Sequence, residues 1–512
     1  MRRVVVTGIG TVNALAQDVP GTFAAFRAGR SGIGPLTFRD HDRLGIKIGA
    51  EVRGWDPAAH FPKASLPLYD RVTQYALLAG AEAVRMAGLP SGLGIRGGVI
   101  LGTAAGGIGT WEDSYRAVFQ DGKSRVSPLT VPRLMQNAPA SHLSIIYGLM
   151  GPVFSVASAC ASANHAMGLA LQQIRLGAAD VMLTGGAEAM LCFGGVKAWE
   201  GLRVLAPDAC RPFSLGRTGM VIGDGAGVLV FEAEDHARAR GAKVLAEVAG
   251  FAMTADAGDI VSPDPDGAAR TIRLALVDAG MEPGDIGYIN AHGTGTRAND
   301  RSESAAIHSV FGPNPPPVSS TKAMHGHAIG ATGALEALAC LMALGQGILA
   351  PTIGHLATDP DCLVDVVANV ARTARVTAAL SNAFAFGGLN AVLAFRAAGT
   401  GAGQTFPAGP AKRHWATTGS AAAGSATTGS ATAGPAAAAA AWAASAASLA
   451  ASTASSPAVK PLSEISSTTV SLGATNGTIT ALAVAPAFIS AISSAVKPSR
   501  AMQPTAVQTV KG

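Results

Sequence analysis

The stretch VASACASANHAMGLAL (residues 156–171) decides the fold, because it joins two kinds of apolar pattern around one cysteine. The β-branched run at residues 153–156 predicts a strand, and the spacing of apolar residues at 161–176 predicts a helix. Cys160 lies at the turn between them, where free backbone N–H groups and the helix dipole favour an anion. This position predicts a lowered thiol pKa and a nucleophilic role. The alternative is an inert core residue, since free cysteines are often buried.

Short β-branched runs alternate with helix-length segments through residue 396. The predicted strands are residues 4–7, 98–101, 153–156, 181–184, 228–231, 244–248, 286–290, 318–320 and 391–395. The predicted helices are residues 23–28, 71–86, 161–176, 268–279 and 334–344. This alternation predicts an α/β fold with largely parallel, buried sheets. The polar run EDHARARGAK (residues 234–243) predicts a boundary between halves 1–243 and 244–396, and the repeated strand–helix units suggest an internal duplication.

The C-terminal segment, residues 397–512, consists mainly of Ala, Ser, Thr, Gly and Pro. It offers no apolar stripe to a core, which predicts a disordered tail. Six of the 38 Lys and Arg residues and one of the 33 Asp and Glu residues lie in it, so residues 1–396 carry 32 of each. The sequence pI of about 9.0 therefore belongs to the tail, and no basic face for nucleic acid is expected. The tail's apolar runs are too weak to predict a membrane span.

The five cysteines are few, odd in number and widely spaced: Cys160, Cys192, Cys210, Cys340 and Cys362. No CxxC spacing occurs, which argues against a disulfide framework and a structural zinc site. We therefore expect a reducing, cytoplasmic location, with peripheral membrane association left open. The opening MRRVVVTGIG has an apolar run too short for an export signal and predicts a first strand.

Two histidine motifs supply partners for Cys160. YINAHGTGT (residues 288–296) carries His292, and SSTKAMHGHAIGATG (residues 319–333) carries Lys322, His325 and His327. Each motif follows a predicted strand, at the edge where open α/β sheets place their ligand sites. His325 and His327 are one residue apart and lack a third ligand at helical spacing, so we expect no metal site.

These motifs resemble those of the β-ketoacyl-[acyl-carrier-protein] synthases, the condensing enzymes of the thiolase-like fold. The matching stretches, in the family's order, are VASACASA, RPFS, VIGDGAGVLVFE, NAHGTGT, KAMHGHAIGATG and SNAFAFGGLNAVLAF. The resemblance covers residues 1 to about 396 and is strongest to the type II enzymes. QQIRLGAADVML, LRVLAPDACRPFS and NAHGTGTRAND are similar to nodulation-type relatives. The resemblance implies two similar βαβ halves in a layered αβαβα body.

The resemblance also implies an acyltransferase, a β-ketoacyl-[acyl-carrier-protein] synthase II of fatty-acid biosynthesis. Cys160 would take an acyl chain from the phosphopantetheine of an acyl carrier protein. Malonyl-carrier protein would then lose CO2 and extend that chain by two carbons to a 3-oxoacyl chain. No other cofactor is implied, and a homodimer is expected. A nodulation-type enzyme making an unsaturated chain for a lipo-oligosaccharide, a polyketide ketosynthase and a catalytically silent partner subunit are the alternatives, and Cys160 argues against the last.

Roles for the individual residues follow from the same resemblance. His292 and His327 would donate hydrogen bonds to the malonyl thioester carbonyl, and the backbone N–H groups of Cys160 and Phe386 would form the oxyanion hole. The other expected site residues are Lys322 as electrostatic support, Glu336 as a buried supporting acid, and Thr294 and Thr296 as pantetheine contacts.

Three departures from the family pattern carry expectations of their own. Ala105, in GTAAGGIG, stands where relatives usually have a larger aliphatic residue, and predicts a substrate pocket for long or stiff unsaturated chains. Ala385 and Leu389 replace Gly and Thr in the gating loop and predict a stiffer loop. The basic docking patch for the carrier is reduced to Lys63 and Arg71, which predicts weaker docking or another docking face.

Overall fold

The computed structural model describes residues 1–90 and 92–398. Its strands are β1 (Val4–Asn13), β2 (Gly34–Pro35), β3 (Ile48–Gly49), β4 (Gly97–Gly102), β5 (Val153–Val156), β6 (Val181–Glu188), β7 (Gly225–Ala233), β8 (Ala246–Ala255), β9 (Tyr288–Asn290), β10 (Val318–Ser319), β11 (Ile348–Leu349), β12 (Arg372–Thr373), β13 (Ala378–Ala385) and β14 (Leu389–Ala397). Its α-helices are α1 (Val19–Ala28), α2 (Arg71–Ala87), α3 (Ile108–Tyr115), α4 (Thr130–Leu134), α5 (Ala138–Tyr147), α6 (Ser162–Arg175), α7 (Phe193–Gly201), α8 (Glu234–Ala239), α9 (Pro265–Ala279), α10 (Arg297–Phe311), α11 (Lys322–His325) and α12 (Thr332–Gln346).

The predicted tail begins slightly too early. Ala397 is the last residue of β14, and its backbone N–H donates to the carbonyl of Thr377 at 2.8 Å. The rest of the predicted tail, from residue 399 onward, lies outside the described residues.

Ten strands form one mixed sheet in the order β10-β9-β13-β14-β8-β1-β7-β6-β4-β5. The order is that of a duplication, because β1, β4, β5, β6 and β7 are arranged in the same way as β8, β9, β10, β13 and β14. The two five-stranded halves join where β1 pairs with β8, through the residue pairs Val5–Glu247 and Val6–Ala246. The polar run at residues 234–243 contains α8 and lies in the connection between the halves.

The prediction of largely parallel sheets is wrong. Of the nine neighbouring pairs in the ten-stranded sheet, five are antiparallel, namely β1–β7, β1–β8, β6–β7, β8–β14 and β13–β14. Every residue of β1 and β7 is buried, although these two strands run in opposite directions. A continuous apolar run therefore indicates that both faces of the sheet are covered, but it does not indicate the direction of the strand.

Helices and sheet alternate in layers. Helices α6 and α12 contact each other, and they pack on β4 and β6 of the first half and on β9 and β13 of the second. Helix α2 packs on β1 and β7 and α9 on β8 and β14, which places one helix on each half of the sheet. This is the αβαβα arrangement that the resemblance implied, and its central helices each begin beside a site motif.

One segment of the described chain is long and apolar enough to cross a membrane. It is Ile329–Gln346, with a mean hydropathy of 1.3, and it contains α12. Because 83% of this segment is buried inside the fold, its apolar character is that of a core helix.

Candidate active site

Cys160 lies in a strained turn between β5 and α6. The residues Ala159–Ala161 form a single 3-10 turn, and Ala159 has a φ angle of 48°, a left-handed conformation that costs an alanine about 1–2 kcal/mol. The hydroxyl of Ser162 holds this turn, because it donates to the Ala159 carbonyl at 2.7 Å and accepts from the Ser158 backbone N–H at 2.9 Å. The turn fixes Cys160 as a nearly buried residue at the start of the helix.

The second half repeats this turn. The residues Ile329–Ala331 form a 3-10 turn before α12, and Ile329 has a φ angle of 39°. Gly330 therefore occupies the position that Cys160 has in the first half. A Cβ atom on Gly330 would lie 2.5 Å from the backbone nitrogen of Ala104 and 2.6 Å from a carboxylate oxygen of Glu188. Close packing, and not chemistry, accounts for the residue type in this second turn.

Cys160, His292 and His327 meet at the base of one cleft. The Cys160 sulfur and one ring nitrogen from each histidine all lie within 4.8 Å of one another. The two imidazole rings are 5.5 Å apart between centroids and nearly perpendicular, at 84°. Among the described residues, this is also the one group of three His, Cys or carboxylate side chains close enough to share a metal ion. A metal bound there would occupy the thiol and both rings at once.

A backbone hydrogen bond fixes the proton on the His327 ring. The N–H of Ile329 donates to Nδ1 of His327 at 3.1 Å, and the hydroxyl of Thr332 lies 2.9 Å from the same atom. Because Nδ1 accepts, the ring proton of the neutral imidazole is on Nε2. In the described part of the chain, that Nε2 is buried without a hydrogen-bond partner. His327 therefore presents an unpaired N–H donor in the cleft that it lines.

A fully buried ion pair lies behind His292. Nζ of Lys322 donates to Oε1 of Glu336 at 2.5 Å and to the carbonyl of His292 at 2.5 Å, and it lies 3.4 Å from Nδ1 of His292. An ammonium group has no acceptor, so Nδ1 of His292 accepts and the ring proton is on Nε2. Both predicted supporting residues are therefore in contact with the site without lining the cleft.

Both imidazoles are neutral at pH 7. Burial lowers the pKa of His292 and of His327 well below the usual 6.5, and the positive charge of Lys322 lowers both further. Burial raises the pKa of Glu336, and the Lys322 ammonium opposes that rise. Two neutral rings with protonated Nε2 atoms are hydrogen-bond donors of the kind that stabilise a developing negative charge.

The predicted lowering of the Cys160 pKa is wrong. Burial raises the pKa of this thiol to about 12, and the charge of Lys322 opposes only part of the rise. Removal of water from around the sulfur thus outweighs the attraction of the Lys322 charge. The resting thiol is protonated, so its reaction as a nucleophile requires the loss of that proton.

The cleft encloses about 700 Å³ of space, which includes its opening to solvent. Thr294 and Thr296, the predicted pantetheine contacts, lie in its wall with their hydroxyl oxygens 2.8 Å apart. Phe386 also lines the cleft, and its ring stacks on that of Trp199 with centroids 6.0 Å apart and an interplanar angle of 25°. Sequence reasoning missed Trp199, which belongs to α7.

Ala105 does not line this cleft directly. It is half-buried against an apolar cluster that includes Met190 and Val196, and the same cluster contains Met220. Met220 also lines the cleft, so the cluster continues the cleft wall. The structure therefore places Ala105 in an apolar cluster that shares Met220 with the cleft wall.

The loop around Phe386 has its left-handed residues at Gly387 and Gly388, with φ angles of 85° and 67°. Ala385 lies within β13, where it pairs with Leu389, and it has ordinary strand geometry. The stiffening expected from Ala385 and Leu389 stays a prediction.

The two basic residues of the expected docking patch differ in their surroundings. Arg71 lies 3.6 Å from the carboxylate of Asp224, which is buried in the fold. Burial raises the pKa of Asp224 to about 6, and Arg71 opposes the rise. Lys63 is exposed. Arg71 is thus already engaged with a buried carboxylate.

Two buried acids of the site were missed by sequence reasoning. Glu303 accepts from the backbone N–H groups of His292 at 2.8 Å and Gly293 at 2.7 Å, which fixes the loop that carries this histidine. Glu188, at the end of β6, accepts a hydrogen bond from Gly330 at 3.0 Å. Glu188 is the single acid in the buried strand β6, and that isolation is the signal that could have identified it. Glu303 shares α10 with Asp300 and gives no such signal.

Two family models match the chain. Residues 1–237 match the model described as Beta-ketoacyl synthase, N-terminal domain, and residues 245–355 match Beta-ketoacyl synthase, C-terminal domain. The chain belongs to the beta-ketoacyl synthase family. This ketosynthase therefore has condensing, acyltransferase-type activity, and the thiolase-like fold expected from its motifs is confirmed.

Individual relatives agree with this assignment. Nodulation protein E of Rhizobium sp. (strain N33) is 49% identical over 399 residues, which span 77% of the ketosynthase and 99% of the relative. The 3-oxoacyl-[acyl-carrier-protein] synthase 2 of Staphylococcus aureus (strain COL) is 38% identical over 406 residues, 77% of this chain and 98% of the relative. The solved ishigamide ketosynthase/chain length factor superposes with a TM-score of 0.75 at 38% identity, over 78% of this chain and all of that one.

Proposed function

We propose that this ketosynthase condenses malonyl-acyl carrier protein with an acyl chain held as a thioester on Cys160. The product is a 3-oxoacyl-acyl carrier protein two carbons longer. The observation that carries this proposal is the convergence of the Cys160 sulfur with two neutral imidazoles inside 4.8 Å. One nucleophile and two donors are what acyl transfer and decarboxylation require, and no cofactor is needed beyond the carrier's phosphopantetheine.

Acyl transfer is the first step. The Cys160 sulfur attacks the acyl thioester, and the thiol proton passes to the pantetheine sulfur, because both nearby imidazoles already carry a proton on Nε2 and accept a hydrogen bond at Nδ1. The oxyanion of the tetrahedral intermediate accepts from the backbone N–H groups of Cys160 and Phe386. The bond between the acyl carbon and the pantetheine sulfur then breaks, and this sulfur leaves as a thiol with the proton that Cys160 gave up.

Decarboxylation and condensation follow at the same histidines. The Nε2–H groups of His292 and His327 donate to the thioester carbonyl of the malonyl group. When CO2 leaves, the electron pair of the broken C–C bond enters the enolate that these donors stabilise. The carbanion attacks the Cys160 thioester, the C–S bond breaks, and the thiolate takes up one proton from solvent. Lys322, paired with Glu336, holds the His292 ring in its donor tautomer, and the Ile329 N–H does the same for His327. Thr294 and Thr296 contact the pantetheine.

The pathway is proposed as fatty-acyl elongation, supported by the similarity to 3-oxoacyl-[acyl-carrier-protein] synthase 2. A second candidate is the synthesis of a specialised unsaturated chain. The 49% identity to nodulation protein E and the small residue Ala105 favour it. Chain analysis of the acyl group trapped on Cys160 in cells distinguishes the two, since a saturated C14–C18 pool supports the first and a polyunsaturated chain the second.

A homodimer is part of the proposal. Strand β5 is an edge of the ten-stranded sheet and exposes Phe154, and edge strands are commonly covered by another chain. Trp111, Tyr115 and Phe119 form an exposed aromatic row on the segment from α3 onward. Light scattering of the full chain should give about twice the 51.1 kDa of one chain. A monomer at micromolar concentration would contradict this part.

The reaction is tested by CO2 release and product mass from malonyl- and acyl-loaded carrier protein. Wild-type chain should form an acyl adduct and release CO2, and Cys160→Ala should lose the adduct and the elongated product. Cys362→Ala, which removes another buried cysteine in a different core cluster, is the matched control and should behave as wild type. Absence of both adduct and CO2 from the wild-type protein would overturn the proposed function.

A further inference from the structure

Glu188 is a fully buried carboxylate that accepts four hydrogen bonds from two separate segments. The donors, with their distances, are Ala104 N at 2.7 Å, Gly330 N at 3.0 Å, Thr103 Oγ1 at 3.1 Å and Ala105 N at 3.2 Å. The first oxygen, Oε1, accepts from Thr103 and Ala105, and Oε2 accepts from Ala104 and Gly330. One side chain therefore joins both segments through both of its oxygens.

The two segments support different features of the site. Residues 103–105 follow β4 and end at Ala105, in the apolar cluster that continues the cleft wall. Gly330 follows Ile329, whose N–H fixes the proton position on His327. The lack of a side chain at Gly330 lets the two segments approach, since a Cβ there would lie 2.5 Å from Ala104 N. Glu188 thus connects the cluster at the cleft wall to the turn that orients an imidazole.

The chemistry of a carboxylate suits this connection. Both oxygens of a carboxylate only accept, whereas one end of a glutamine amide only donates. Glutamine at this position would set an NH2 group against two of the four donors. Burial raises the pKa of Glu188 to about 7, and its four donors oppose the rise. Its negative charge is one of the smaller causes that raise the pKa of the Cys160 thiol.

We propose that Glu188 is a positioning residue that sets acyl-chain selectivity. It does so by holding the segment that ends at Ala105 in a fixed position relative to the turn at Ile329–Ala331, which orients His327. The inference rests on the proposed function, because it concerns the same acyl thioester on Cys160. It adds that the preference among acyl chains depends on a residue that contacts no substrate.

The test uses Glu188→Gln with a matched control, Glu82→Gln. Glu82 is a buried carboxylate on α2 that accepts from backbone N–H groups of Thr11 at 3.0 Å and Val19 at 2.9 Å, and burial raises its pKa to about 7 as well. It does not line the cleft. Acylation rates of Cys160 are measured by intact mass with acyl-carrier thioesters from C6 to C18, together with CO2 release from malonyl-carrier protein.

Glu188→Gln should change the ratio of long-chain to short-chain acylation by about tenfold and slow CO2 release by a similar factor. Glu82→Gln should scale all chain lengths equally. An unchanged ratio in Glu188→Gln would overturn the inference. If that variant does not fold, Thr103→Val, which removes one donor, is measured in the same way, and an unchanged ratio there overturns it as well. Failure of wild-type protein to acylate Cys160 would instead overturn the proposed function.

Discussion

Ala159 and Ile329 occupy equivalent turns of the two halves and share a left-handed backbone, with φ angles of 48° and 39°. Each precedes the first turn of a central helix. In the first half the next residue is Cys160, and in the second it is Gly330, which packs against Glu188. One local geometry thus presents a nucleophile in one repeat and closes a packing contact in the other.

Replacement of Ala159 by glycine should stabilise the fold. Glycine adopts a φ of 48° without the steric cost that alanine has, so we expect the free energy of unfolding to rise by about 0.5–1 kcal/mol. Urea unfolding measures the change. Ala163→Gly, inside α6, is the matched control and should destabilise by about 1 kcal/mol. A loss of stability in Ala159→Gly would show that the turn is not strained.

Removal of Lys322 alone should lower the free energy of unfolding more than removal of both charges of the Lys322–Glu336 pair. Lys322→Met leaves a buried carboxylate without its partner, and we expect a loss of about 3–5 kcal/mol in the free energy of unfolding. Adding Glu336→Gln should recover most of that loss. Both variants should release CO2 more slowly, because Nδ1 of His292 loses its donor. Equal stability of the single and double variants would contradict a charge-paired site.

The reactivity of Cys160 should rise with pH without a plateau near neutrality. A thiol pKa of about 12 means that the thiolate fraction increases tenfold per pH unit between pH 7 and 9. Alkylation of the free enzyme by iodoacetamide, followed by peptide mass, measures this. A plateau above pH 7 would instead support the lowered pKa that the position before α6 suggested from sequence.

CO2 release should show no transition at pH 6.5. Burial holds the pKa of His292 and His327 well below 6.5, so both rings stay neutral donors as pH falls through that value. The unfolded chain, however, takes up protons on these rings below pH 6.5. The stability that they contribute is therefore complete above pH 6.5 and is lost as pH falls further. His327→Gln, which cannot titrate, should reduce this loss, and an unchanged pH dependence of unfolding would contradict the assignment.

Ala105→Ile should shift the products toward shorter chains. The added side chain would extend into the apolar cluster of Met190 and Val196 and reduce the space available to a long acyl group. Chain-length profiling of the 3-oxoacyl products measures the shift, with Ala105→Gly as the control that adds no volume. An identical profile for the two variants would remove Ala105 from the specificity determinants.

Sequence pattern predicts the helices and strands that depend only on residues close together in the chain. The strand–turn–helix around Cys160 and the helix over residues 334–344 appear as expected, because apolar period and small turn residues act within one element. Strand β13 was missed, since SNAFAF is short and lies beside a glycine turn. Strand direction was also mispredicted, because it depends on pairing between elements far apart in sequence.

The same distinction between local and long-range features separates the site residues that could be predicted from those that could not. Cys160, His292, His327 and Lys322 could be found because each stands in a distinctive motif. Glu188, by contrast, acquires its role only when residues 103–105 and Gly330 fold against it. The thiol pKa was mispredicted for a related reason, since desolvation is set by the whole fold and the helix dipole by one turn.

The two repeats of the fold meet where β1 pairs with β8, and this arrangement limits how the protein can be divided into fragments. The sulfur comes from one repeat and both imidazoles from the other, so neither repeat expressed alone contains a complete reaction centre. Two separately expressed fragments, cut in the polar connection after α8, would recover turnover only by reassociating. If whole repeats were exchanged between related ketosynthases, only combinations whose β1 and β8 strands pair would assemble a reaction centre. Pairing between the repeats would therefore be selected before catalytic activity.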